Sequence, residues 1–379
     1  MTHELNETQM QLQRAIGKFA DKWCPPERVR SSDEAKEYPF DVYDALAKDG
    51  WLGLLAPKEY GGAGGGAVDV ALVLEEISKR WMALGLIYHT ATIFPLGIQL
   101  FGDDRQKDVY LRGVASGKLR FAFSLTEPES GSDAFALTTT AKIAGDEFII
   151  NGAKIFTSGA DVADRIALAV RTNPNNKRRD GVSLILLDAK SPGVTIRTID
   201  KLGLHGISLC HIYLDDVHVP RNDLLGPLDR GWEVALRTLE WERLSIGARC
   251  TGGCQAVLDD AVAYASQRMQ FGRLIGKFQA VQHMIADMEI ATQSARALTY
   301  QLARKMDAGI ATAHDAAIVK VYASEAYVRV ARLGTQVFGG YGYTMEFPLQ
   351  RHYRDSKIFE IGGGTSQIQR NIIAKGLGL

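Results

Sequence analysis

Five short segments of this sequence gather residue types that bind ligands. Thr126-Glu127-Pro128-Glu129-Ser130-Gly131-Ser132-Asp133 follows directly on the strand-like run FAFSL. Such a turn offers backbone N–H groups, hydroxyls and little bulk, which suits the edge of a planar, polar ring system and an adjacent phosphate. Asn151-Gly152-Ala153-Lys154-Ile155-Phe156-Thr157-Ser158-Gly159 reads as hairpin-like. Arg268-Met269-Gln270-Phe271-Gly272, continuing to Phe278-Gln279, joins two helical stretches, and Gln336-Val337-Phe338-Gly339-Gly340-Tyr341-Gly342 ends one. Gly362-Gly363-Gly364-Thr365-Ser366-Gln367 opens the last helix. Glycines with hydroxyl residues at a helix start make an anion-binding N-terminus. Each segment alone is also an ordinary turn or helix end, so only their joint order carries weight.

Several commoner motifs fail. Gly62-Ala63-Gly64-Gly65-Gly66-Ala67 fits a loose G-x-G-x-x-A, but no strand precedes it directly and no chain of βαβ units follows, so it reads as a loop before a helix. Gly113 to Lys118 lacks the spacing of a P-loop, and Gly206-Ile207-Ser208 is not a nucleophile elbow. Cys250 and Cys254 share a helix face without a nearby His and read as two packed thiols, not as a metal site.

The elements that must position these segments fall into three parts, an α+β organisation. Residues 1–120 read as helices: Leu12, Ile16, Phe19, Ala20 and Trp23 keep a 3.6-residue period until Pro25 and Pro26, a second helix spans about 68–86, and a third follows Pro95. Residues 121–228 alternate β-rich runs (FAFSLT, EFIING, RIALAV, VSLILL, GVTIRT, CHIYLDDVHV) with turn residues, which predicts an antiparallel barrel or sandwich. Lys177-Arg178-Arg179-Asp180-Gly181 reads as a solvated hairpin loop within it. Residues 229–379 contain only Pro348 and carry helical stretches at 231–267, 278–308 and 313–337, a four-helix-bundle-like pattern.

Length and charge narrow the class. The chain has 379 residues, suggesting two or three domains, with 44 Lys+Arg against 44 Asp+Glu. That balance argues against nucleic acid as a partner. No membrane span or signal peptide is expected, and four scattered cysteines fit a reducing cytoplasm better than a disulfide framework.

In this order, the segments resemble the acyl-CoA dehydrogenase family over essentially the whole chain. The T-E-P-x-x-G-S-D, R-x-x-F-G-x-x-I-x-x-F-Q and G-T-x-Q-I-x-R patterns carry the resemblance. It implies a tightly bound FAD and a homo-oligomer, most often a tetramer. It implies that Phe123, Leu125, Thr126, Gly131 and Ser132 hold the flavin pyrimidine, that Phe156 lies against the ring and that Ser158 lies near N5. Arg268, Phe271, Gln279, Gln336 and Gly340 would reach the adenosine and pyrophosphate of a neighbouring subunit's FAD. Thr365 and Gln367 would contact the pyrophosphate. The implied reaction is α,β-dehydrogenation of an acyl-CoA thioester, with hydride passing from Cβ to flavin N5 and electrons leaving to an electron-transfer flavoprotein. Ser132, Arg243, Gly363 and Gly364 would contact the substrate. On the same fold, an acyl-carrier dehydrogenase, an enoyl-CoA reductase, an oxidase or monooxygenase, or a non-catalytic interaction protein stay open.

The chemistry needs a desolvated carboxylate to take a weakly acidic α proton and donors for the enolate oxygen. Most members carry the base in the last loop, as Tyr-Glu-Gly-Thr. Here Gly363 stands where that Glu would be, keeping the backbone N–H but not the acid. A minority of the family, with isovaleryl-CoA and long-chain members, has the base on a bundle helix in a Glu-Arg-Leu context, which Leu239-Glu240-Trp241-Glu242-Arg243-Leu244 matches. The resemblance therefore makes Glu242 the base. Glu240 lies about 200° around the helix, and Glu360 is the runner-up. Gly362 and Gly363 in place of a bulky pair leave room near the α and β carbons for a branched or substituted chain.

Overall fold

A computed structural model describes residues 5–175 and 180–379. Lys177, Arg178 and Arg179 of the basic loop lie outside the described residues.

The N-terminal part is helical: α1 (Glu7–Trp23), α2 (Pro26–Ala35), α3 (Phe40–Lys48), α4 (Ala67–Arg80), α5 (Met82–Thr92), α6 (Leu96–Phe101) and α7 (Asp104–Gln106), the last continued through a π-turn, Lys107–Leu111, into α8 (Arg112–Ala115). Local chemistry sets the boundaries. The Asn6 side chain accepts from the Gln9 N–H to open α1, and Pro26 sits at the first position of α2, where its missing N–H is harmless. The single helix expected over about 68–86 is two helices, because Trp81 is extended (φ −150, ψ 102) between α4 and α5. One stretch with no charged residue is long and apolar enough to cross a membrane by length and composition, Met82–Phe101, contrary to the expectation of none; 72% of its most apolar window is buried inside the fold.

The middle part holds β1 (Phe121–Ser124), β2 (Thr140–Ala144), β3 (Glu147–Ser158), β4 (Arg165–Arg171), β5 (Val182–Asp188), β6 (Val194–Thr198), β7 (Leu209–Pro220) and β8 (Leu224–Leu225). They form one sheet in the order β6-β7-β3-β2-β4-β5-β8, with β1 beside β4. Contrary to an all-antiparallel reading, the sheet is mixed: β1 runs parallel to β4, and β2 meets β4 in a parallel pair. β4 shows why its sequence lacks clean alternation. Ile166, Leu168 and Val170 point into one core, while Ala167 and Ala169 join another that includes Ile98, Tyr110 and Trp232. Both faces are buried, so both are apolar.

Three long helices follow, α9 (Gly231–Ala265), α10 (Gln279–Asp307) and α11 (Ala313–Phe338), with a two-stranded hairpin between α9 and α10 made of β9 (Met269–Gln270) and β10 (Arg273–Leu274), and then α12 (Leu349–Ser356) and α13 (Ser366–Gly376). The fourth long partner in this packing is α4, supplied by the N-terminal part. Its buried Glu75 accepts from Arg296 Nε (2.9 Å) and Tyr300 Oη (2.9 Å) on α10, and Asp307 accepts from the first N–H groups of α4. The two helical parts share one apolar core. A site at the α5–α9 seam is therefore held by both.

Candidate functional site

Glu242 sits in the first third of α9, a partly exposed residue on the stripe that also carries Ser245, Ile246 and Arg249. Facing it is the loop that runs from α12 to α13. Gly363 there has φ 66, a left-handed conformation that glycine adopts without strain. A Cβ at Gly363 would stand 3.4 Å from Glu242 Oε1 and 2.6 Å from Ile246 Cδ1. The helix carboxylate and the loop glycine thus face each other across contact distance. Gln369 pins the loop from α13, its Nε2 donating to the carbonyls of Gly363 (2.9 Å) and Gly364 (3.2 Å). Neither the Gly363 nor the Gly364 N–H has an acceptor among the described residues.

Burial pushes the Glu242 carboxyl above its usual range, against the opposing charges of Arg249, Arg243 and Lys320. The same burial disfavours the charged form of each cation: Arg243 is lowered, Arg249 falls to about 10 and Lys320 to about 8. None of these four groups forms an ion pair within 4.0 Å among the described residues. Arg243 Nε and Lys320 Nζ are buried without a hydrogen-bond partner. A carboxylate raised by burial, reachable and free of hydrogen bonds has the properties that a general base needs.

The two segments expected to hold a ring meet at the ends of β1 and β3. The Thr126 carbonyl accepts from the Ile155 N–H (2.9 Å), so the first segment lies against the second. Ser124 and Thr157 hydroxyls are 2.8 Å apart below them. β3 shifts register between Lys154 and Thr157, and within that shift Phe156 takes φ 61. A bulky residue in this region is strained, and strain of this kind marks functional positions. Here it turns the Phe156 ring outward, leaving it 57% exposed, and in the first segment Gly131 and Ser132 are exposed as well. An exposed aromatic face beside a polar turn fits a planar ring cofactor. Phe123 lies 5.4 Å from the ring of Phe94, which itself lies 5.0 Å from His89. Leu125 is half-buried, and Ser158 pairs with Leu209.

The remaining predicted residues form two other groups. Phe271 (φ 51) and Gly272 (φ 75) make the two-residue turn of the β9–β10 hairpin, the left-handed pair that such turns require. Phe271 is 92% exposed, Arg268 lies over Tyr341 at 5.4 Å, and Gln279, Gln336 and Gly340 are exposed. Thr365 caps α13 by accepting from the Ile368 N–H, and with Gln367 it lines a pocket that Glu325, Lys357 and Glu360 also border. Both of those carboxylates are engaged, Glu325 by Arg370 and Glu360 by Lys357. Glu360, the runner-up base, is thus an ion-pair partner, and Glu240 approaches Arg237 at 3.5 Å.

Several residues that shape the site were not singled out by sequence. Glu127 accepts from the Thr138 N–H (2.6 Å), the Thr139 N–H (2.9 Å) and Lys154 Nζ (2.7 Å), stapling the first motif to β3. Both side chains lie inside quoted motifs, so the signal was an acid and a base in adjacent segments. Arg249, Lys320 and His89 gave none, because a lone polar residue in an apolar helix has no local signature. Among the described residues, no group of His, Cys, Asp or Glu is placed to hold a metal, and Cys250 and Cys254 are buried free thiols.

Comparison with known proteins adds a family. The N-terminal, middle and C-terminal domains of acyl-CoA dehydrogenase match residues 6–118, 122–217 and 229–378. A 3-(aryl)acrylate reductase from Clostridium sporogenes is 38% identical over 348 residues, 91% of this chain and 92% of that protein. The CarC subunit of a caffeyl-CoA reductase–Etf complex from Acetobacterium woodii is 35% identical over 97% of this chain and 98% of its own length. The butyryl-CoA dehydrogenase of Megasphaera elsdenii superposes with a TM-score of 0.96 at 32% identity, covering 100% of both chains.

Proposed function

The chain belongs to the acyl-CoA dehydrogenase family, and on that premise we propose that Glu242 takes the α proton of an acyl-CoA thioester during its α,β-dehydrogenation. FAD is the cofactor of this enzyme, and when bound it supplies the acceptor for the hydride that leaves Cβ. The observation that carries the reading is the meeting of Glu242 Oε1 with the position a side chain would occupy at Gly363. A thioester carbonyl resting on the free Gly363 N–H would bring its α carbon beside that carboxylate. The N–H would donate to the oxygen as enolate charge develops. Arg243 and Lys320, which oppose the Glu242 charge, would also stabilise that oxygen. Phe156 would wall the flavin, with Phe123, Leu125, Thr126, Gly131, Ser132 and Ser158 on its polar edge.

This reading places the chain in the subgroup with its base on the bundle helix. Electrons would pass to an electron-transfer flavoprotein, a partner named for the relative in the caffeyl-CoA reductase–Etf complex. Half-buried Arg268 and the exposed Phe271, Gln279, Gln336 and Gly340 would reach a neighbour's FAD in a homotetramer, with Thr365 and Gln367 on its pyrophosphate. The enzyme would work in the cytoplasm. The same groups serve the reverse direction, since the acid formed on Glu242 is then the proton donor.

The test is anaerobic mixing of the FAD-loaded protein with a panel of acyl-CoA thioesters, followed by flavin absorbance. Bleaching by at least one thioester, with the enoyl product recovered, is expected. A flavin that no thioester reduces would overturn the reading.

A further inference from the structure

Arg249 lies seven residues beyond Glu242 on α9, two turns along the same stripe. Its side chain folds back toward Glu242: Nε donates to Ser245 Oγ (3.2 Å) and approaches the Ser245 carbonyl (3.4 Å). On the way it crosses the α5–α9 seam at Gly85. A Cβ there would stand 3.4 Å from Arg249 Cδ and 2.0 Å from Ser78 Oγ, so a side chain at 85 would crowd this route. One turn further along α5, His89 Nδ1 lies 2.9 Å from the same Ser245 hydroxyl. The Phe359 ring closes the other side, 5.0 Å from the guanidinium carbon.

All three polar residues are buried, Arg249 at 3%, His89 at 1% and Ser245 at 0% exposure. Buried guanidinium groups are normally paired with carboxylates. Among the described residues Arg249 has no such pair, and the terminal nitrogens of its planar fork have no hydrogen-bond partner. Arg249 is the largest of the opposing charges on Glu242, ahead of Arg243 and Lys320, yet among the described residues it forms no ion pair with that carboxylate, so the donors of its fork stay open. About 10 Å of helix axis separates positions 242 and 249. The Arg249 stem folds back along that distance through Ser245, so the fork is directed toward the base. Phe94 links this place to Phe123 and so to the ring-binding segment.

We propose that Arg249, held by Ser245 and His89, is the floor of the acyl compartment and selects short acyl thioesters whose far end carries a carboxylate. The proposal rests on the dehydrogenase reading with Glu242 as base. The planar fork matches a carboxylate with paired donors and would leave a methyl terminus against an unpaired cation. Burial, with Arg249 beside it, holds His89 well below its usual range, so the ring stays neutral and adds no second charge to the floor.

The experiment compares pentanoyl-CoA with glutaryl-CoA, chains of equal length that end in methyl or carboxylate, by anaerobic flavin reduction with the holoenzyme. Wild type is expected to favour the carboxylated thioester about 100-fold in kcat/KM, the order expected for pairing a buried charge. Most of that preference should lie in KM. Arg249→Met is expected to abolish or reverse the preference while flavin content is kept, and Arg249→Lys to retain part of it. A wild-type enzyme that prefers pentanoyl-CoA overturns the proposal without any variant, as does a ratio unchanged in Arg249→Met. If neither these nor other thioesters reduce the flavin, the dehydrogenase reading itself fails, which is a different result from alkyl thioesters reducing it alone.

Discussion

Glu127 and Glu242 are both glutamates withdrawn from water, and their surroundings send them in opposite directions. Burial pushes each carboxyl up. At Glu127 the nearby Lys154 charge and the N–H and hydroxyl donors of Thr138 and Thr139 outweigh it and hold the group at about 2. At Glu242 the cations stand off without a hydrogen bond, and burial wins. Donors at contact distance make a structural staple, whereas charge at a distance leaves a proton acceptor. Raised basicity therefore comes from what is withheld from Glu242, not from what is added.

The largest expected effect breaks this contrast on the Glu242 side. Glu242→Gln keeps size but cannot accept the α proton, and it should slow flavin reduction by at least the upper end of the roughly 10²–10⁴ range of an acid–base group. Stopped-flow reduction would show the loss in the chemical step, with thioester binding retained. Folding stability should hold or rise, because an unbonded buried carboxylate is removed.

On the Glu127 side the effect is on folding. Lys154→Met leaves Glu127 buried with only the N–H and hydroxyl donors of Thr138 and Thr139 and no counter-charge at contact distance, and should destabilise the protein by about 3–5 kcal/mol, measured by denaturant unfolding. The pH dependence carries the same sign. Glu127 titrates in the folded state at about 2, below its unfolded value of about 4.3. Its stabilising contribution is thus present above pH ~4.3 and fades as pH falls toward 2. Glu127→Gln should flatten that part of the acid-unfolding curve.

A smaller effect sharpens the geometry. Gly363→Ala adds a Cβ at φ 66 that would meet Ile246 Cδ1 at 2.6 Å. Left-handed strain of about 1–2 kcal/mol is expected, read as a lowered melting temperature. Flavin reduction should slow as well, since the added methyl faces Glu242. An unchanged rate would place the reacting carbon elsewhere.

Much of this fold was legible in the sequence because long helices carry strong periodicity. The ends of α9, α10 and α11 fall within two residues of the stretches read from apolar spacing. β2 and β8 were not read, being short and, in β2, largely exposed. Parallel pairing of β1 with β4 has no local signal, since pairing partners are chosen by tertiary packing. Position 242 stood out only against the glycine at 363, two residues that share no sequence neighbourhood. Arg249, Lys320 and His89 depend on the crossing of α5, α9 and α11, and no spacing rule along one helix brings them together.

The pH profile of single-turnover flavin reduction, in wild type and Glu242→Gln, tests the assignment of the base most directly. Wild type should speed up with pH through an apparent pKa above the ordinary carboxylate range of about 4.3, because only ionised Glu242 accepts the proton and burial raises its pKa. Glu242→Gln should be slower by orders of magnitude and should lose that rise. A Glu242→Gln enzyme within tenfold of wild type, still titrating at the same pH, would contradict the assignment and move the base to another carboxylate.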